Sequence, residues 1–159
     1  MDQYTRCIIG FGIQSGDVDG VTLCCMFNCA ISNQGVPRYL SSDNDPLLRY
    51  HRWQANLHIL EVAEIKSIPY TPTSHPYIER LIGTIRREYL DRLFFWNTQD
   101  LERKLESFAQ YYNQHRAHQS LDGKTPVSAN DSVYSQRANL THYAWKSHCH
   151  ALFKTQIAA

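Results

Sequence analysis

Two carboxylates stand where an α/β chain places its chemistry. Asp43 follows the run Arg38-Tyr39-Leu40-Ser41-Ser42, which reads as a short buried strand. Open α/β sheets put their sites just past such strand ends. Glu79 lies near the start of a helical pattern, with 35 residues (44 to 78) between it and Asp43. Gly83 and Arg86 share its face at i+4 and i+7, opposite a stripe of Ile78, Ile82, Ile85 and Tyr89. Glu79 therefore points away from the core. Carboxylates are the oxygen ligands that hard cations prefer. Each residue also has a structural reading: a turn aspartate at a strand end, and a favourable charge in a first helical turn. Spacing alone does not choose between these.

The elements that must position the two acids follow from pattern and punctuation. Residues Arg6 to Gln14 mix β-formers with small residues and predict a strand. After the turn Ser15-Gly16-Asp17, a helix is expected from about Val18 to Ile31, burying Val18, Val21, Cys24, Cys25, Phe27 and Ile31. Asp45 before Pro46 predicts a capped helix from Pro46 to about Leu57 or Leu60. Ala63 to Ile68 alternates as a strand, and Pro69 to Pro76, with three prolines, predicts a loop. A helix begins at Tyr77. Another runs from Thr98, its expected cap, to His115 and buries Leu101, Leu105, Phe108 and Tyr112. Beyond Pro126 the pattern weakens to irregular structure with at most one short helix. Strands alternating with helices argue for an α/β domain.

The totals narrow the function classes. The 159 residues suit one compact domain, and 43% hydrophobic with 19% charged residues reads as globular. Sixteen basic side chains against fifteen acidic ones leave a formal charge of +1, so DNA contact requires a local patch rather than bulk charge. Five cysteines (7, 24, 25, 29 and 149) are an odd number without a secretory signal, which points to a reduced, cytoplasmic setting. No apolar run approaches the roughly 18 residues of a membrane span. His148-Cys149-His150 lacks a second ligand pair at zinc-finger spacing, which leaves packing or a tail as its reading. Trp53, Trp96 and Trp145 are expected to be packing residues.

Leu40-Ser41-Ser42-Asp43-Asn44-Asp45, followed after the 35-residue gap by His75-Pro76-Tyr77-Ile78-Glu79-Arg80, closely resembles the retroviral-type integrase core shared by many bacterial insertion-sequence transposases. The helix Glu79-Arg80-Leu81-Ile82-Gly83-Thr84-Ile85-Arg86-Arg87-Glu88 resembles that family's glutamate helix, basic residue at the seventh position on included. Tyr111-Tyr112-Asn113 with Arg116, His118, Leu121 and Thr125-Pro126 resembles its tail motif, and this argues against a ribonuclease-H-like nuclease of another kind. The resemblance covers about residues 1–127, expected to be a partial integrase catalytic core, with 128–159 a mostly irregular tail. Asp45 stands where the family more often has glycine; the cap reading covers it, so it is left outside the metal site.

The resemblance implies a ribonuclease-H-like fold, a mixed five-stranded sheet flanked by helices. It also implies an aspartate–aspartate–glutamate triad in which Asp43 and Glu79 are the second and third acids, catalytic and metal-binding. The triad would hold two Mg²⁺ or Mn²⁺ ions about 3.5–4 Å apart for phosphodiester attack by water or a DNA 3′-hydroxyl. The partners implied are DNA, as transposon ends and target, and a homo-oligomer or full-length transposase; no membrane is implied. Arg86 and Arg87 are the expected DNA contacts, ahead of Arg38, Lys66, Arg80 and Arg92. His75 and Tyr77 are expected to fix the active-site loop. The first acid belongs on an opening strand that the family places upstream of a sequence like Met1-Asp2-Gln3-Tyr4-Thr5-Arg6, so Asp2 receives no metal role. The chain is accordingly expected to lack about two strands and one ligand, and to be inactive alone. The alternative is a non-catalytic fragment that associates with full-length transposase and inhibits it.

Overall fold

The computed structural model describes residues 1–32, 34–67, 76–129 and 143–158. The chain divides into two compact units, Ile9–Arg87 and Met1–Ile8 with Glu88–Ala159.

In the first unit, helix α1 spans Gly20–Ile31 and starts where Asp19 accepts a hydrogen bond from the Thr22 amide at 2.8 Å. Strand β1, Tyr39–Ser42, pairs in parallel with β2, Ala63–Lys66, in the register Tyr39↔Ala63 to Ser42↔Lys66. Parallel neighbours require a crossover, and helix α2, His51–Ile59, supplies it. The expected start at Asp45 is present: its carboxylate accepts from Leu47 N at 2.8 Å, with Pro46 in the first turn. That turn is a short 3-10 segment, Pro46–Arg49, because Tyr50 takes extended backbone (ψ 135°) and splits the single expected helix in two.

Trp53, Leu57 and Val62 form the buried cluster, with Leu23, Cys24, Phe27, Leu40, Leu48 and Leu60 packed against it. Phe27 meets Trp53 edge-on at 5.2 Å. Three expectations change here. No residue of α1 is fully buried; Val21, Cys25 and Cys29 are exposed because the helix presents only one side, Leu23–Cys24–Phe27, to the cluster. β1 is not a buried strand: Tyr39 and Ser41 face solvent, since alternate residues of a strand point to opposite sides. The segment Arg6–Gln14 joins no described ladder. Its glycines bring backbone against α1 instead; a Cβ on Gly10 would stand 2.9 Å from Ala30 Cβ.

Helix α3, Pro76–Glu88, buries Leu81, Thr84 and Ile85, and Tyr89 follows fully buried. The expected stripe is therefore rotated. Ile82 is exposed and Leu81 takes its place, because i, i+3, i+7 fits a 3.6-residue period as well as i, i+4, i+7. Of the expected loop, residues 69–75 lie outside the described residues, as do Ile68 and His75; Pro76 begins α3.

In the second unit, helix α4, Thr98–His115, is capped by Asn97, which accepts from Asp100 N at 2.8 Å, one residue before the expected cap. It buries Leu105, Phe108 and Tyr112, while Leu101 is half-buried. Tyr89 packs on Phe108 at 5.1 Å and donates its hydroxyl to Lys104 O at 2.8 Å. Irregular structure was expected beyond Pro126, yet strands β3, Tyr143–His148, and β4, Phe153–Ala158, form an antiparallel hairpin. Phe153 stacks on Tyr111 at 4.1 Å, and the Cys149 thiol donates to Ser107 O at 3.4 Å. The sequence carries no hairpin signal there: Cys149, His150 and Ala151 adopt positive φ without a glycine or asparagine. Of the tryptophans only Trp53 is core; Trp96, in the loop before α4, and Trp145, on β3, are exposed.

Candidate functional site

Asp43 is the first residue past β1 and is exposed. Its neighbours are held on both sides. Ser42 O accepts from Ser67 N at 2.8 Å, Ser42 Oγ donates to Glu64 at 2.7 Å, and Asn44 Nδ2 donates to Ser67 O at 2.9 Å. Asp43 Oδ1 accepts from Asp45 N at 3.1 Å. Asp45 itself is engaged as the cap of the following turn.

Glu79 occupies the first turn of α3 and is exposed, as are Arg80, Arg86 and Arg87. The rotated buried face still leaves Glu79 pointing outward. Asp43 and Glu79 thus belong to the same unit. Among the described residues, however, no group of three or more His, Cys, Asp or Glu side chains could hold a metal ion. The described carboxylates do not make up the three-acid ligand set that the two-metal chemistry requires. The Asp2 carboxylate accepts from Tyr4 N, Thr5 N and the Thr5 hydroxyl and closes a turn. Tyr77 is exposed at the first turn of α3.

Two of the weaker DNA-contact candidates are engaged elsewhere. Lys66 Nζ reaches Glu64 at 3.2 Å and Leu48 O at 3.3 Å, and Arg38 lies 5.4 Å over the Tyr39 ring.

Sequence reasoning missed Glu64. Its side chain is 9% exposed and collects donors from Ser42, Trp53 Nε1, Gln54 Nε2 and Lys66. Burial alone would raise its pKa, but the hydrogen bonds from Gln54, Ser42, Lys66 and Trp53 outweigh that and hold the carboxyl below its ordinary value. An acid in an alternating strand carries no sign of this; only the folded register sets it beside the strand that ends at Asp43.

The tail motif is structural in its contacts. Asn113 hydrogen-bonds both backbone groups of Ile8, and Arg116 makes a two-pronged ion pair with Glu88 while lying 5.8 Å over the Tyr112 ring. His118 sets its ring edge against Tyr112, and Pro126 is fully buried. His148-Cys149-His150 places its cysteine in the packing: Cys149 is buried.

Residues 62–126 match the family described as "Integrase core domain", a stretch that contains α3 and the tail motif. Over 139 residues, 87% of the chain, the sequence is 25% identical to an uncharacterized 39.2 kDa protein of insertion element IS476 from Xanthomonas euvesicatoria. The chain spans 40% of that protein's length. Two solved structures share its fold at 20% identity. One is a chain of the simian T-cell lymphotropic virus intasome in complex with the PP2A regulatory subunit B56 gamma, with a TM-score of 0.58 covering 82% of this chain and 49% of that one. The other is the catalytic core domain of BIV integrase, with a TM-score of 0.54 covering 72% of each. Among the described residues no helix is long and apolar enough to cross a membrane. Among its described residues, the unit that carries Asp43 and Glu79 shows two parallel strands. Residues 62–126 are thus similar to the integrase core domain, and the chain shares its fold with the two solved structures.

Proposed function

We propose that this chain is part of a DNA transposition or integration enzyme, with residues 1–127 forming its partial core. In this reading Asp43 and Glu79 are two of the three carboxylates that serve polynucleotidyl transfer, and Arg86 and Arg87 contact the DNA backbone. The observation that carries it is the integrase core match over residues 62–126, which encloses the outward-facing Glu79, Arg86 and Arg87 on a single helix.

The ligand set limits what the chain does alone. Mg²⁺ prefers octahedral oxygen coordination, and two carboxylates hold it weakly and without a fixed orientation. The 159-residue chain by itself is therefore inactive in strand transfer, and its partners are DNA and further transposase copies.

The test is strand transfer in Mg²⁺ or Mn²⁺. It compares this chain with a version preceded by the strand that carries the first acid in an intact integrase core. Activity is expected only in the completed form and is abolished by Asp43→Asn or Glu79→Gln. Completed-form activity that survives both substitutions overturns the assignment of these residues. Strong metal-dependent cleavage by the 159-residue chain overturns the inactivity.

The alternative reading is a non-catalytic fragment that associates with full-length transposase and inhibits it. It requires this chain to lower the activity of an intact transposase when the two are mixed. Unchanged activity at excess chain excludes it.

A further inference from the structure

We infer that Gly83 is a seat for the Arg87 guanidinium and so sets the direction from which Arg87 meets a DNA phosphate. This deepens, and rests on, the proposed action on DNA.

Gly83 stands in the interior of α3, where glycine weakens a helix relative to any ordinary residue. Core packing does not account for it. Outside the adjacent residues and the helix backbone, the three atoms nearest a Cβ built on Gly83 are Arg87 Nη1 at 3.0 Å, Nη2 at 3.4 Å and Cζ at 3.5 Å. Every one of them belongs to the guanidinium of the residue one turn on. The side chains of the buried residues Leu81 and Ile85 are not among them. What an added side chain would displace first is therefore Arg87.

The direction follows from helix geometry. Long helical side chains lie back over the preceding turn, toward the N-terminus. Arg87 does this across the bare backbone at Gly83, and Gly83 is four residues past Glu79. Glu79, Gly83 and Arg87 thus form one row at i, i+4 and i+8. The seat turns the guanidinium toward the turn that carries the candidate catalytic carboxylate, rather than letting it extend into solvent. Among the described residues no carboxylate pairs with Arg87. Its planar fork of donors remains available for a two-pronged contact with phosphate oxygens.

The test measures the affinity of the full 159-residue chain for a duplex oligonucleotide in EDTA, as a function of salt. It compares wild type with Arg87→Ala, Gly83→Leu, Gly83→Ala and the double variant Gly83→Leu/Arg87→Ala. Losing one phosphate contact lowers the slope of log affinity against log salt by about 0.9. Arg87→Ala and Gly83→Leu are each expected to show this drop, and the double variant no further drop. Gly83→Ala shows a smaller drop in the same sense. Both glycine replacements are expected to raise the thermal midpoint by about 2–4 °C. Weaker DNA binding by a more stable protein is a combination that a merely structural glycine does not produce.

A lowered slope in Arg87→Ala with a wild-type slope in both Gly83 variants overturns the seat and leaves the DNA reading standing. Effects that add in the double variant overturn it too. An unchanged slope in Arg87→Ala, or no DNA binding by wild type, overturns the DNA-contact reading itself. If Gly83→Leu fails to fold, Gly83→Ala decides by the same comparison.

Discussion

The Asn113 carboxamide holds both backbone groups of Ile8, 105 residues away: Ile8 N donates to Oδ1 at 2.8 Å, and Nδ2 donates to Ile8 O at 2.9 Å. The amide thus stands in for a strand partner of a residue that is itself buried. Asn113→Ala leaves a donor and an acceptor unpaired and is expected to cost about 2 kcal/mol. Asn113→Asp keeps the acceptor but sets a carboxylate against Ile8 O, so it does not rescue. Urea unfolding of the three proteins checks this; a loss below ~0.5 kcal/mol in Asn113→Ala shows that the contact contributes little.

Glu64 predicts an acid dependence. Its folded pKa lies below the ordinary 4.5, through hydrogen bonds that exceed its burial cost. The stability it contributes is present above pH 4.5 and is lost as pH falls through the lower folded value. Glu64→Gln weakens four charge-assisted or polar contacts and is expected to cost roughly 2 kcal/mol at pH 7. Unfolding free energies measured at pH 7 and pH 3 should show the gap between wild type and variant shrinking at the lower pH. A gap that is constant with pH contradicts the assignment.

The hairpin carries a pH dependence of the same sense from a different group. The His115 and His148 rings lie 4.1 Å apart, and His148 Nε2 shares a hydrogen bond with Thr155 at 2.8 Å. Burial holds both below the ordinary 6.5, helped by Lys146 and, for His148, by its neighbour His115. Folding therefore binds fewer protons than unfolding here. The stability is present above pH 6.5 and falls as pH drops toward the folded values. The thermal midpoint should fall more between pH 7.5 and 5.5 in wild type than in His115→Gln/His148→Gln. Equal falls would place the dependence elsewhere.

Arg116 and Glu88 test geometry against charge. Arg116 Nη2 meets Glu88 Oε1 at 3.0 Å, and Nη1 meets the other oxygen. The pair is partly exposed, with side chains 26% and 37% accessible. Arg116→Lys keeps the charge but loses the fork and the contact over Tyr112 and is expected to cost about 1 kcal/mol, close to Arg116→Met. A lysine variant with wild-type stability in chemical denaturation would show that charge alone suffices.

What could be read along the chain was whatever depends on neighbours within about four residues. Asp45-Pro46 announced a helix start because a cap and a proline act on the next turn. The apolar spacing of Leu105, Phe108 and Tyr112 announced α4 because helical side chains meet at i+3 and i+4. The outward face of Glu79 survived even though Leu81 replaced Ile82 on the buried side, since either stripe leaves position 79 on the polar face. The wording around Glu79 pointed to the integrase core domain that residues 62–126 match.

Tertiary structure decided everything that needs a distant partner. The β-formers of residues 6–14 found no described strand to pair with, so propensity made no ladder there. Glu64 became a buried hub only when β2 came to lie beside β1 with Trp53 and Gln54 alongside. The hairpin β3–β4 formed through a turn of left-handed residues without glycine, with Phe153 stacked on Tyr111 and the Cys149 thiol bonded to Ser107 O. Local sequence sets periodicity and caps because those interactions close within a helical turn. It does not set which side chains meet across 42 or 105 residues, because those contacts exist only once the chain has folded back on itself.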